Sequence, residues 1–434
     1  MKKITLFLLL ISSSLLAQER FDKIDAYLTL LEKNNKFMGS LSIQEGDKIV
    51  FSRAYGLTSV LENTKANKET KYKIGSITKT FTAVMIMQLI EEKKLRLDTK
   101  LVRFYPKIPN ADKISIYDLL HHRTGIVDYI NGDVVTQQNM YKVHSKEEMI
   151  QKITAYEPLF EPGTKYEYSN SNYNLLGYII ETITKKSFAE NIQTRICKKA
   201  NLQNTFFSYD KINLKNNESY SHIFDGENWV LIPEWENSIA FSAGAMTATT
   251  ADLTQFMHAL FEGKLVKKTS LDQMKEIKDG YGKALMQFPF GERKFFGHTG
   301  GIENFRAVVG YYPSEKMGIS LIVNGDNYER NDIMIGVLSM YYKMPFPFPS
   351  FEKIKIEDIQ KYLGTYASKD IPLKITVSEK NGELLAQATG QSSFPLTARD
   401  KDTFIFAAGG IEMEFGDNQF ILKQGGMKFK FEKE

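Results

Sequence analysis

The chain is poor in the features that define several large protein classes. It holds one cysteine, Cys197, among 434 residues. A single thiol forms no internal disulfide, so a disulfide-stapled scaffold is excluded. It ends the helical pattern Arg195-Ile196-Cys197-Lys198-Lys199 and is expected to be a buried structural thiol. Net charge is also small, at +4, which is no electrostatic footprint for nucleic acid. Histidines are few, and none is spaced as a metal ligand. His121 and His122 are adjacent and so face different ways on a helix, while His144, His222 and His258 have no ligand-like neighbours. No metal and no cofactor is expected. There is no internal repeat and no low-complexity tract.

Long hydrophobic runs are absent too, with one short exception. Lys2 and Lys3 precede an apolar run from Ile4 to Leu16, followed by Ala17-Gln18. The run is too short to span a bilayer comfortably. A basic start, a short apolar middle and a small residue at the cut form the layout of a secretory signal peptide. Export to the periplasm or the medium is therefore expected, with residues 1–17 removed and no transmembrane segment left. No Cys lies near the cut, which argues against a lipid anchor there.

The length calls for two domains. A helical stretch near Phe21–Glu32 opens the mature part. Strands Gly39–Gln44 and Lys48–Ala54 follow, joined at Gly46-Asp47 as a hairpin. The run Thr78–Ile90 is apolar nearly all round, and such a helix must be buried. Ser115 with Asp118 marks a capped start for a helix over Ile116–His122, stopped by Gly125. Further helices are expected over Asn172–Thr184, Phe188–Lys199 and Asp252–Glu262, then strands over Arg306–Tyr312 and Gly318–Val323. Helices between flanking strand sets argue for an α+β domain over 18–344, with an antiparallel sheet flanked by helices. Pro345, Pro347 and Pro349 forbid helix and mark a stiff linker over 345–350. Beyond it, over 351–434, short strands alternate with glycine turns. The expected strands are Leu373–Val377, Glu383–Ala388, Thr403–Phe406, Ile411–Phe415, Gln419–Leu422 and Met427–Phe431, which suggests a small all-β barrel-like domain.

Three features carry chemistry. A serine hydroxyl needs a base within hydrogen-bond reach. In Ser76-Ile77-Thr78-Lys79, residues three apart share a helix face, so the Lys79 amine can lie against the Ser76 hydroxyl. Burial disfavours the ammonium and readies the amine as a base. Two other Ser-x-x-Lys tetrads occur, Ser208–Lys211 and Ser350–Lys353, but neither opens a buried apolar helix. The second feature is Tyr168-Ser169-Asn170. A tyrosine near the nucleophile can relay a proton, and an amide two positions on can bond substrate and lysine. Tyr129-Ile130-Asn131 is its rival. The third is Gly297-His298-Thr299-Gly300-Gly301 before a strand. Glycines at a strand edge admit a substrate backbone. A backbone N–H there, paired with that of Ser76, makes an oxyanion hole whose donors are typically worth about 3–4 kcal/mol each.

Taken in order, the set resembles the serine β-lactamase and penicillin-binding protein superfamily, and within it the class C β-lactamase-like serine hydrolases. Tyr72–Thr82 resembles their nucleophile segment, Asp118–Ile126 their helix between the first two motifs, and Pro162–Gly177 their second motif, which favours Tyr168 over Tyr129. Ala243–Met246 through Leu253 resembles the stretch before their last helix. The resemblance covers about Phe37–Asn324. It implies a β-lactamase-like fold with an all-helical subdomain, and the C-terminal β-domain reads as an appended module. It implies Ser76 as nucleophile, Lys79 as base, Tyr168 as the other proton-transfer group, Asn170 as a substrate and lysine contact, and His298, Thr299, Gly300 and Gly301 as the substrate-binding edge. Where many penicillin-recognising members carry Lys, this chain has His298, a weaker and pH-dependent carboxylate anchor. The function implied is hydrolysis of small esters or D-amino-acid peptides through an acyl-enzyme. A β-lactamase is the alternative enzyme, and a penicillin-binding sensor with little turnover is the alternative of another class. Trp229 and Trp235, in the loop-like segment Asp225–Asn237, are read as packing residues, with lining of the substrate mouth as the alternative. Glu303 is read as a solvated loop carboxylate, with a part in specificity as the alternative.

Overall fold

The computed structural model of the protein describes residues 19–130, 139–349, 351, 359–380, 382–391, 393–406, 409–424 and 427–434. The expected signal peptide and the end of the expected linker at Ser350 lie outside them. Among the described residues, no helix is long and apolar enough to cross a membrane.

The chain divides into two compact units. The larger, Leu28–Tyr328, is built on a six-stranded antiparallel sheet. Its first hairpin is β1 (Phe37–Glu45) and β2 (Lys48–Tyr55), turned at Gly46, whose φ is 55°. The rest come late in the chain: β3 (Met286–Phe290), β4 (Arg293–Ile302), β5 (Phe305–Tyr312) and β6 (Met317–Asp326). Their spatial order is β3-β4-β5-β6-β1-β2. The hairpin at the start thus docks on strands from the end, and the helical region is inserted between β2 and β3.

That insertion opens with the 3-10 turn Gly75–Ile77 and continues as the helix Thr78–Glu91. Every residue from Thr78 to Leu89 is buried, as the all-round apolar sequence requires. Helices Asn170–Thr184 and Asn237–Gly244 pack against it. Helix Thr250–Phe261 lies on β1, β5 and β6, and its Thr249 cap accepts from Asp252 N. Phe256 on that helix stacks on Phe81, with ring centroids 3.7 Å apart, and both rings are fully buried. Ser115 and Asp118 form the expected capping box, but helix Ile116–Leu120 ends sooner than expected, because His122 turns the chain at φ 55° ahead of Gly125. The expected helix Phe188–Lys199 carries a π-helical stretch, Ile192–Cys197, with Cys197 buried.

The second unit holds Glu329–Glu434 with the described residues through Tyr27. Its start lies ahead of the expected connector. The reason is packing within the unit: the rings of Phe346 and Phe348 lie 5.3 and 5.6 Å from that of Tyr27. A Cβ placed on Gly336 would come within 2.8 Å of both Tyr27 and Phe346. Phe346, between two of the prolines, thus packs against the helix Arg330–Tyr341 and the ring of Tyr27. The β-domain is a closed antiparallel barrel running from Gly364–Ser368 to Met427–Lys433, with the last strand paired back on the first. Tyr366, Phe404, Met413, Phe415, Phe420 and Phe431 form its core. Two of its strands, Gly364–Ser368 and Phe394–Asp400, were not expected from the sequence.

Phe256→Ala removes a ring from the stacked pair that joins the helices Thr78–Glu91 and Thr250–Phe261. Urea denaturation is expected to show a loss of about 3–5 kcal/mol in unfolding free energy. A loss under about 1 kcal/mol would show that the pair does not hold the helix.

Candidate active site

Ser76 sits in the 3-10 turn that precedes the buried helix, and its side chain keeps partial exposure. Lys79, one turn on, is fully buried. Its Nζ lies 3.0 Å from Ser76 Oγ, 2.7 Å from Asn170 Oδ1 and 2.8 Å from the Ala243 carbonyl oxygen. As an ammonium, Nζ donates to all three oxygens; as a neutral amine it keeps its two N–H bonds to Asn170 and Ala243 and has a lone pair for the Ser76 proton. Burial pushes the Lys79 pKa down to about 7, while the Asp128 carboxylate opposes the fall.

The second motif completes the surroundings of Ser76. Tyr168 OH donates to Ser76 Oγ at 2.9 Å. Burial raises the Tyr168 pKa above the usual phenol value, so the phenol keeps its proton at neutral pH. Asn170 opens the helix Asn170–Thr184 and donates through Nδ2 to Asp128 Oδ2 at 2.8 Å. Asp128, Asn170 and Lys79 thus form a hydrogen-bonded chain. The Ala243 carbonyl is placed by helix Asn237–Gly244, which breaks at Phe241, where φ is 35°. The segment after the break is tied down by Thr82 Oγ1, which donates to Ser242 O at 2.8 Å, and by Ala243 N, which donates to Asn174 Oδ1 at 3.2 Å.

The third motif lies on β4. β3 pairs with β4 only over Arg293–Gly297, whereas β5 pairs with it through Ile302. From His298 onward β4 therefore has one side not covered by β3, and there it meets the turn that carries Ser76. Two glycines make the approach possible. A Cβ on Gly300 would collide with the Ile74 carbonyl oxygen and come within 3.2 Å of Ser76 N. A Cβ on Gly75, whose φ is 52°, would come within 2.5 Å of Gly301 N. The N–H groups of Ser76 and Gly301 belong to two segments in direct backbone contact.

His298 differs from its expected role. It is buried, its Nε2 lies 2.9 Å from Tyr281 OH, and its Nδ1 lies 2.5 Å from Thr299 O. Burial pushes its pKa down to about 3, so it is neutral at working pH and supplies no pH-dependent positive charge to a substrate. Thr299 and Gly301, by contrast, keep exposure. Glu303 is not a solvated loop carboxylate either. Its side chain is buried against Lys73, at 2.8 Å.

Several residues at the site were not identified from the sequence. Asp128 was not singled out, and His122 was read as structural. The His122 carbonyl accepts from Glu167 N at 2.9 Å and its Nδ1 accepts from Ser169 N at 3.1 Å, so it holds the chain on both sides of Tyr168. Its ring lies 4.2 Å from the Tyr168 ring. The signal for both was their place in Asp118–Asp128, the segment just after the capped helix. The rivals take other partners. Tyr129 is buried and donates to the Ile239 carbonyl, while Ser208 bonds Asp210 on the surface. Asn131, Ser350 and Lys353 lie outside the described residues.

This fold and this arrangement define a serine hydrolase of the serine β-lactamase and penicillin-binding protein superfamily, with an appended barrel. A sequence model of the family described as Beta-lactamase matches residues 31–336, and the chain belongs to that family. Among curated proteins it is similar to penicillin-binding protein 4* of Bacillus subtilis, at 24% identity over 94% of this chain and 98% of that one. It is also similar to protein flp of Staphylococcus aureus, at 27% identity over 71% of this chain and 63% of the relative's length. Among solved structures, the octameric penicillin-binding protein homologue from Pyrococcus abyssi matches with a TM-score of 0.67 and 24% identity, covering 95% of this chain and 99% of that one. D-amino acid amidase from Ochrobactrum anthropi SV3 matches with a TM-score of 0.66 and 22% identity, covering 75% and 99%. These two structures share the fold.

Asp128→Asn tests the chain of groups behind Lys79. The Asp128 carboxylate raises the Lys79 pKa, so its loss lowers that pKa further. The acid limb of the pH profile for ester acylation is expected to move to lower pH. A limb that stays in place or moves up would contradict the coupling.

Proposed function

We propose that the protein is an exported hydrolase that forms an acyl-enzyme on Ser76, acting on small esters or on peptides and amides of D-amino acids. The observation that carries this reading is the setting of one hydroxyl: Ser76 Oγ lies between the buried amine of Lys79 at 3.0 Å and the phenol of Tyr168 at 2.9 Å. The two neighbours divide the proton work. Lys79, which loses its proton easily, takes the Ser76 proton as Oγ bonds to the substrate carbonyl carbon. Tyr168, which holds its proton, gives it to the leaving group as the bond to that group breaks, and regains one from the Lys79 ammonium. Negative charge on the carbonyl oxygen falls to the N–H groups of Ser76 and Gly301. Water then repeats the sequence in reverse and frees the acid and Ser76.

The substrate class draws support from two directions. Neutral, internally bonded His298 offers no positive charge to a lactam carboxylate at that position of the third motif. Among the solved structures that share the fold, one is described as a D-amino acid amidase and another as a D-stereospecific amidohydrolase. Export rests on the basic and apolar start of the chain.

Intact mass after incubation with a fluorescent penicillin or an acyl-ester probe tests the nucleophile, and steady-state rates test the substrate. Wild-type protein is expected to gain one acyl group and Ser76→Ala none. Lys79→Met is expected to slow acylation by about 10²–10⁴-fold. D-amino acid p-nitrophenyl esters or anilides are expected to turn over faster than nitrocefin. Labelling of Ser76→Ala would sink the mechanism, and faster nitrocefin turnover would make the enzyme a β-lactamase. A burst that stalls after one turnover would make it a sensor.

A further inference from the structure

We propose that the buried charge cluster Glu234–Lys73–Glu303 is a positioning device for the oxyanion hole, holding the segment that carries Ser76 N–H at a fixed distance from the segment that carries Gly301 N–H. The proposal rests on the acyl-enzyme reading of Ser76. Lys73 precedes Ser76 by three residues, on the short strand Tyr72–Lys73. Glu303 follows Gly301 by two, at the turn between β4 and β5, where its φ is 52°. The two are 230 positions apart in the chain, yet Lys73 Nζ lies 2.8 Å from Glu303 Oε1. Glu234 Oε1 lies 3.0 Å from the same amine on another side. The side chains of Lys73, Glu234 and Glu303 keep 2%, 8% and 1% of their exposure. The Trp235 backbone closes the cluster, its amide N–H donating to Glu303 Oε1 at 2.9 Å and its carbonyl accepting from Lys73 Nζ at 3.3 Å.

The need for such a tie follows from the glycines. Gly75, Gly300 and Gly301 let the two backbones touch, but they bring no side chains to interlock across the contact. Around Ser76 itself, Ile74 N donates to Met246 O at 2.9 Å and Met246 N donates to Thr78 Oγ1 at 3.2 Å, which fixes the segment to the strand Met246–Ala248. Tyr72 ties the start of the segment to β1 and β5, its OH 2.8 Å from Ser40 Oγ and its ring 6.5 Å from that of Phe305. The Lys73–Glu303 ion pair adds a direct tie to the turn that follows Gly301. Burial makes the tie stiff, because separating either partner leaves a buried charge uncompensated. Burial alone would drive the Glu303 carboxyl towards its neutral form, and the Lys73 charge opposes that. A misplaced donor matters because oxyanion stabilisation depends on N–H groups preorganised around the developing charge. Lys73 and Glu303 touch no reacting atom in this account; they act through the backbone.

The test compares an oxygen ester with its thiono analogue, p-nitrophenyl acetate against O-p-nitrophenyl thionoacetate. Sulfur is larger and accepts hydrogen bonds weakly, so the hole contributes little to thiono-ester turnover. In Glu303→Gln and Lys73→Met, kcat/KM for the oxygen ester is expected to fall by about 10²-fold. The thiono ester is expected to lose less than about threefold, because it does not draw on the hole. Lys73→Arg, which keeps the charge, should restore most of the oxygen-ester rate, and Glu234→Gln should fall between. The ratio of the two substrates is taken within each sample, so a loss of folded protein cancels. Lys268→Met, which breaks the exposed pair Lys268–Asp272, should leave the ratio at the wild-type value. A parallel fall for both substrates, or no fall, overturns the positioning role. Turnover that survives Ser76→Ala would instead overturn the acyl-enzyme reading beneath it.

Discussion

The amine of Lys79 is buried among groups that can hold it only in certain protonation states, and the site is arranged around that constraint. An ammonium with no access to water is costly unless it is paired. Here Asp128 stands one amide away, behind Asn170, and tempers the cost from there. The amine is left close to balance between its two forms, as a base at neutral pH requires. The helix Thr78–Glu91 is what makes this possible. A solvated helix face would give Lys79 an ordinary ammonium and Ser76 an ordinary hydroxyl. The apolar residues around the helix are therefore part of the chemistry as well as of the core.

The same demand for closeness shapes the backbone around Ser76. The break at Phe241 precedes the carbonyl that receives Lys79, and a positive φ of 55° at His122 places the residue that brackets Tyr168. Glycines at 75 and 300 let the oxyanion segment and β4 meet with nothing between them. Strained or side-chain-free backbone is characteristic of places where geometry is set by function. Each such place here is braced by buried polar groups: Asn174 and Thr82 at the break, Ser169 and Glu167 at His122, and the charge cluster at Lys73.

Much of this was legible in the sequence where the signal was local. The all-round apolar run behind Ser76, the Ser115–Asp118 box and the hairpin at Gly46 each announce themselves within a few residues. The order of the three motifs picks Ser76 out of three Ser-x-x-Lys tetrads. What stayed hidden depends on contacts distant in the chain. Nothing in Ile302-Glu303-Asn304 says that the carboxylate meets Lys73. Nothing in Gly297-His298-Thr299 says that the imidazole is neutralised by burial against Tyr281. His122 turns the chain at a positive φ of 55°, which His tolerates better than most residues, but nothing in Leu120-His121-His122 says which of the two histidines makes the turn. The strand Phe394–Asp400 contains Pro395, which argues against a strand when read locally. The alternating prolines read locally as a stiff linker, and nothing local says that the rings between them pack on Tyr27.

The central claim is that Lys79 rests near the balance point of its protonation because it is buried. Direct titration of its Cε and Nζ signals by NMR, assigned by comparison with Lys79→Met, tests this without any substrate. The account predicts a midpoint of about 7, against the ordinary lysine value of 10.5. A midpoint near the ordinary value would contradict it, and would leave Ser76 without the base on which the mechanism rests.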